Sequence, residues 1–222
     1  MDKAGSKEAA PILQQAALDL LAAAPTRGRA GSDLRTAVGI LRAQALVLIQ
    51  TDSAGGPLDK TFSLARACGI TQKQLSFVRN NALALQPKTL GATLIKNVIV
   101  NMALAHEGRV IADMLFTNRE DVETLKTQMN DVFNIVEEVA ADDMAQESYI
   151  SLVRLHAAVV FFLIETARPL PRMLRFRFAA PLTTLVMAHR LYTDSGRADE
   201  LRNENRVIHP AFALPYGRAL SS

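Results

Sequence analysis

Tryptophan is absent from this chain of 222 residues, cysteine occurs once, at Cys68, and the aromatics amount to 9 Phe and 3 Tyr. A lone thiol closes no intrachain disulfide and cannot furnish a zinc site of several cysteines, so a reducing, intracellular place of synthesis is expected. Few aromatics beside abundant Ala and Leu predict an aliphatic interior of the helical kind and argue against an all-β sandwich. Gly (11) and Pro (9) are too scarce for a collagen-like or low-complexity chain. Neither sign of charge dominates: 25 Lys+Arg face 22 Asp+Glu, a net +3. The start, Met1-Asp2-Lys3-Ala4-Gly5, lacks the basic-then-apolar order of a secretory leader. The longest uninterrupted apolar run, Ala157 to Ile164, is far short of the ~20 residues of a membrane span. A soluble chain without a membrane partner is expected.

What is present is 49% apolar residues arranged at helical spacing. Ile12, Leu13, Ala16, Leu20 and Leu21 predict a helix over about 8–23, stopped by Pro25. Ser32 is positioned to cap a second helix carrying Leu34, Val38, Leu41, Ala45 and Leu48. Pro57 suits the first turn of a third, which Gly69 closes, and Thr71 with Gln74 forms a capping-box pattern for a fourth. The stretch 88–116 is apolar over more than one face, which suits a central helix. Asn118 with Asp121 opens a sixth helix, and Asp142-Asp143 is placed to cap a seventh that ends at Arg168-Pro169.

The character then changes. Residues 168–222 hold 9 Lys+Arg against 4 Asp+Glu, while residues 1–167 hold 16 against 18. Met173 to Phe178 alternates apolar residues with Arg175 and Arg177, which predicts an extended segment with both Phe on one face. Two short helices, 182–192 and 197–206, and an irregular tail over 207–222 are expected to follow. The fold class expected is therefore all-α: an antiparallel multi-helix bundle over 1–167 and a basic C-terminal extension over 168–222, packed on the bundle or on a neighbouring subunit.

Residues that could carry chemistry do not assemble into a catalytic pattern. Gly55-Gly56-Pro57-Leu58-Asp59-Lys60-Thr61 lacks the glycine before the lysine that a phosphate loop requires. His106-Glu107 is half of a helical zinc motif, but Val110 stands where the second histidine belongs. His156 has Glu165 nine residues away, too far along the helix to pair with it. Glu137, Glu138, Asp142 and Asp143 read as helix-end charges, and Cys68, at a helix end, reads as a small packed residue. No enzyme activity, metal or cofactor is expected. Arg168, Arg172, Arg175, Phe176, Arg177 and Phe178 are the interaction candidates: arginines can contact phosphate and Phe can stack on a base, or the arginines can meet an acidic protein surface.

The last forty residues carry a denser pattern: Leu191-Tyr192 with Asp194, Arg197-Ala198-Asp199-Glu200-Leu201, Asn205-Arg206, and His209-Pro210 with Phe212. This combination resembles the C-terminal end of the DNA-circularisation protein N family of Mu-like contractile-tailed phages. The resemblance covers about a fifth of the chain, and the family's further N-terminal domain has no counterpart among these residues. It implies a virion tail component made in the host cytoplasm, a homo-oligomeric ring around the tail tube near the tape-measure and hub proteins, with other tail or baseplate proteins as partners. The alternative it implies is a protein that binds DNA ends and circularises injected phage DNA without covalent joining. Tyr192, His209 and Phe212 are of the kind that anchors interfaces, or else pack within their own lobe. A helical regulator or adaptor unconnected with phages is a third possibility that the first 167 residues allow.

Overall fold

A computed structural model describes residues 3–211 and 213–221. Among these the helices run α1 Lys3–Ala23, α2 Gly28–Gln50, α3 Gly55–Ala67, α4 Gln72–Leu83, α5 Leu90–Ala112, α6 Arg119–Asp142, α7 Gln146–Ala167, α8 Thr184–Tyr192 and α9 Ala198–Glu204. Two five-residue strands, β1 Met173–Arg177 and β2 Tyr216–Leu220, form one antiparallel pair. The chain is all-α with a small sheet in its C-terminal part, as its composition and apolar spacing predict.

Two compact units are present, Met1–Met114 with Val136–Leu155, and Leu115–Ile135 with His156–Ser222. The α6–α7 hairpin thus contributes residues to both, whereas a boundary at 167 would keep it within the bundle.

In the first unit α5 touches α1, α3 and α4, and its buried Ile99, Val100, Ala103, Leu104 and Ile111 explain why it is apolar on more than one side. Leu13, Leu20, Leu34, Leu41, Leu58, Phe62 and Leu75 complete an interior that is mainly aliphatic. Helix ends follow local chemistry. Thr71 and Gln74 form a capping box, with the Gln74 N–H donating to Thr71 Oγ1 and the Thr71 N–H to Gln74 Oε1. Gly69 adopts φ +83° just after α3, where a left-handed residue lets the following N–H groups reach the last carbonyls. Glu8 in α1 accepts from the Lys88 and Thr89 N–H groups at 2.8 and 2.9 Å, which docks the start of α1 on the entry to α5.

Some boundaries differ from expectation. Ser32 lies inside α2, which begins at Gly28; the Thr26 carbonyl lies only 2.1 Å from where a Cβ on Gly31 would stand, so the chain turns into the helix earlier than a Ser32 cap would have it. Asp142 ends α6 and Asp143 accepts from Asn97 at 2.8 Å, so neither caps α7; Met144 at φ 53° makes the turn instead. Asn118 does cap α6, its Oδ1 accepting from the Asp121 N–H at 2.9 Å. The tail is not irregular throughout, because residues 216–220 form β2.

Helix α7 has 22 residues and a mean hydropathy of 1.7 over its most apolar window, long and apolar enough by length and composition to cross a membrane. Arg154 and His156 interrupt its apolar residues without much lowering the average, so the helix contains no long uninterrupted apolar run. Only 22% of that window is buried: Leu152, Val159, Leu163 and Ala167 face inward, whereas Val153, Phe161 and Ile164 are exposed.

Candidate functional site

The C-terminal lobe is built by pairing β1 with a strand some forty residues away. The register sets Arg175 opposite Arg218 and Phe176 opposite Gly217. Alternation works as expected: Phe176 and Phe178 turn to a small apolar cluster of Met187, Leu201, Ala213 and Ala219, while Arg172, Arg175 and Arg177 are exposed. The two Phe rings lie 5.5 Å apart at a tilt, half-buried in this cluster, which takes most of their faces away from any base.

Most of the motif residues build the lobe. Thr183 caps α8 and Thr193, at φ 57°, closes it. Asp194 Oδ1 accepts from the Gly196 N–H at 2.7 Å and starts the 3-10 turn Ser195–Arg197. Arg197 makes a two-pronged bond to Glu200, at 3.1 and 2.7 Å, and its guanidinium lies 3.8 Å above the Tyr192 ring. The Glu200 bonds strengthen proton binding by Arg197, and burial pushes the Tyr192 hydroxyl up from its ordinary range. Leu191 packs on the apolar cluster and Pro210 presents its carbonyl to the Thr184 N–H at 2.8 Å. Asp199 is exposed, 3.6 Å from Arg202, and His209 Nδ1 accepts from the Ala211 N–H. Phe212 lies outside the described residues.

Asn205 holds the centre. Its Oδ1 accepts from the Arg218 N–H at 2.7 Å, and its Nδ2 donates to the Arg218 carbonyl at 2.7 Å and to the Leu201 carbonyl at 2.8 Å. A side-chain amide thus occupies the outer edge of β2 as a third strand would. Position 217 has to be glycine, since a Cβ there would stand 2.2 Å from Asn205 Oδ1 and 2.9 Å from Phe176. Beside this clamp an open groove of about 830 Å³ is lined by Phe176, Met187, Leu201, Ile208, Leu214 and Tyr216 among others.

Arg168 pairs with Glu165 within the turn, but Arg172, Arg175 and Arg177 meet no carboxylate among the described residues. Arg175 and Arg177 thus carry part of the basic surplus of the last quarter on one face of β1, and Arg190, Arg206 and Arg218 are likewise without an ion pair among the described residues.

In the first unit, the adjacent His106 and Glu107 face different partners and cannot act as one ligand pair. His106, 1% exposed, places Nε2 3.0 Å from Asp59 Oδ1 and stacks on Phe62 at 5.2 Å. Glu107, fully buried, accepts from Arg79 at 2.6 Å and from Gln72 at 3.3 Å through one oxygen, while its other oxygen has no hydrogen-bond partner. Burial raises the Glu107 carboxyl to about 7, against the pull of Arg79 and Gln72. Burial lowers His106, against the opposing pull of Asp59. Sequence reasoning does not find this buried ion pair, because Arg79 and Glu107 sit on separate helices and each reads as a surface charge.

His156 places Nε2 2.9 Å from Asn130 Oδ1 and stacks on Phe133 at 4.7 Å, a packing role within the second unit. Cys68 is half-buried, and desolvation raises its thiol, followed by the charge of Asp33. No protein-family model matches the chain, and no characterised protein matches it at a significant level.

Proposed function

We propose that this chain is a structural component of a contractile phage tail or baseplate, one subunit of a ring around the tail tube near the tape-measure and hub proteins, and that its work is binding. The observation that supports this best is how the lobe divides its residues. Tyr192, Asp194, Arg197, Asn205 and Pro210 are engaged inside the lobe, and the arginines of β1 are left outward and unpaired. A lobe of this kind offers a surface fixed by a hydrogen-bonded scaffold, which is what a lattice of tail proteins requires. Quantitative mass spectrometry of purified particles from a phage or prophage carrying the gene tests it. A stoichiometric signal at a small multiple of the hub protein is the expected result; absence from particles that contain the hub overturns it.

The second reading, a DNA-end-binding protein, draws support from the same uncompensated arginines, since phosphate is their other natural partner. The half-buried state of Phe176 and Phe178 weighs against base stacking. Duplex affinity that falls steeply with salt favours this reading; weak affinity at every salt concentration removes it.

A further inference from the structure

We infer that the outer edge of β1 is a docking site for an extended acidic segment of a partner protein, which adds to the sheet as a third strand. This deepens the tail-component reading by naming the chemistry of the partner, and its test is separate from the presence of the chain in particles.

The main-chain groups along the two outer edges of the sheet are unequally occupied. In an antiparallel pair, alternate residues turn their N–H and C=O toward the neighbouring strand and the others turn them outward. Arg218 gives both of its groups to Asn205, so they point away from β1. Its partner in register, Arg175, therefore turns its own N–H and C=O away from β2, and so do Met173 and Arg177. The residues that flank the strand are in the opposite phase: the Ser221 N–H donates to the Arg172 carbonyl, the Arg172 N–H to Ser221 Oγ, and the Phe178 N–H to the Pro215 carbonyl.

The two outer edges are treated differently. The edge of β2 is closed at its centre by Asn205. The edge of β1 is closed only at its beginning, where the Arg119 N–H donates to the Pro171 carbonyl at 3.0 Å and Glu120 accepts from the Met173 N–H at 2.6 Å. From Arg175 onward no such closure is present among the described residues. The N–H and C=O of Arg175 and Arg177 form a short open ladder in the phase a new strand needs.

Charge selects the occupant. Arg175 and Arg177 are two residues apart in the strand, so both side chains stand on the same face, and both are exposed without a carboxylate partner among the described residues. An added strand with acidic residues at alternate positions sets each beside an arginine as a cross-strand pair, where opposite charges are favourable and like charges are not. In an unoccupied edge, arginines also discourage indiscriminate pairing, which makes the edge selective for an acidic strand.

The test uses the full chain and a fluorescein-labelled seven-residue peptide of alternating Glu and Val, read by fluorescence anisotropy. The expected result is binding at least tenfold tighter than that of the same peptide with Lys for Glu, with this preference inverted by the double variant Arg175→Glu/Arg177→Glu. N-methylation of one alternate set of peptide amides should abolish binding, and methylation of the other set should leave it within about twofold. Circular dichroism checks that the double variant keeps its helices; the methylated peptides leave the protein unaltered and keep the question answerable if it does not. Equal binding of the acidic and basic peptides overturns the proposal, as does binding that neither methylation pattern weakens. Tight binding of a short DNA duplex, lost in the double variant and unaccompanied by acidic-peptide binding, also overturns it.

Discussion

Glu107 and His106 are neighbours with opposite consequences for stability. The folded-state pKa of Glu107 is raised, to about 7, so its contribution is fully present below the ordinary value of 4.5 and is lost as pH rises through 7. His106 is lowered from 6.5, so its contribution is present above that value and is lost as pH falls below it. Glu107→Gln removes the first and exposes the second: relative to wild type, thermal unfolding of the variant should grow more favourable to the folded state as pH rises from 5 to 7. Calorimetry across that range checks the sign. Arg79→Ala removes the cation from the buried Glu107 and should cost ~3–5 kcal/mol by urea unfolding at pH 8. In the lobe, Asn205→Ala deletes three hydrogen bonds, which at ~0.5–1.5 kcal/mol each is enough to loosen β2. Faster amide exchange at Arg218, with exchange in α5 unchanged, is the expected readout. The motif residues stand out in the chain as a dense pattern, but the task of Asn205 does not, since nothing near it in sequence names Arg218 as its partner.

Helix α7 and strand β1 illustrate how far local pattern carries an element. Along α7 two residues of similar hydrophobicity have different fates: Leu163 is fully buried and Phe161 is 66% exposed. Leu163→Ala should cost ~2–5 kcal/mol, whereas Phe161→Ser should change stability by less than ~0.5 kcal/mol; chemical denaturation of both variants measures the contrast. Sequence spacing separates them: the apolar stripe Leu152, Val159 and Leu163 recurs at helical spacing and leaves Phe161 off it. For β1 alternation is decisive. Phe176 and Phe178 turn inward and the arginines outward as the pattern predicts, since one face of a half-buried strand must be apolar. Capping is equally local: Thr71 with Gln74 and Asn118 with Asp121 act within four residues, and both are legible. Ser32 fails as a cap because α2 starts upstream, at Gly28, where the helical turn passes close to the Thr26 carbonyl.

For the protein in its particle or on DNA, charge decides between readings. If the arginines of β1 bind protein, Arg175→Glu/Arg177→Glu should abolish incorporation into tails while duplex affinity stays within twofold; if they bind phosphate, duplex affinity and its salt dependence should both fall. Particle mass spectrometry and a salt titration of duplex binding, run on the same variant, separate the two. The helices, their caps, the alternating strand and the basic surplus of the last quarter are written in the order of residues, because each depends on neighbours within about one or two turns. Tertiary structure alone decided that β1 pairs with 216–220, that Asn205 closes one sheet edge, that Glu8 caps the approach to α5, and that Arg79 lies buried against Glu107. These are compensations of polar groups across tens of residues: a backbone amide or a charge states that it needs a partner, but only the packed chain says which one comes within reach.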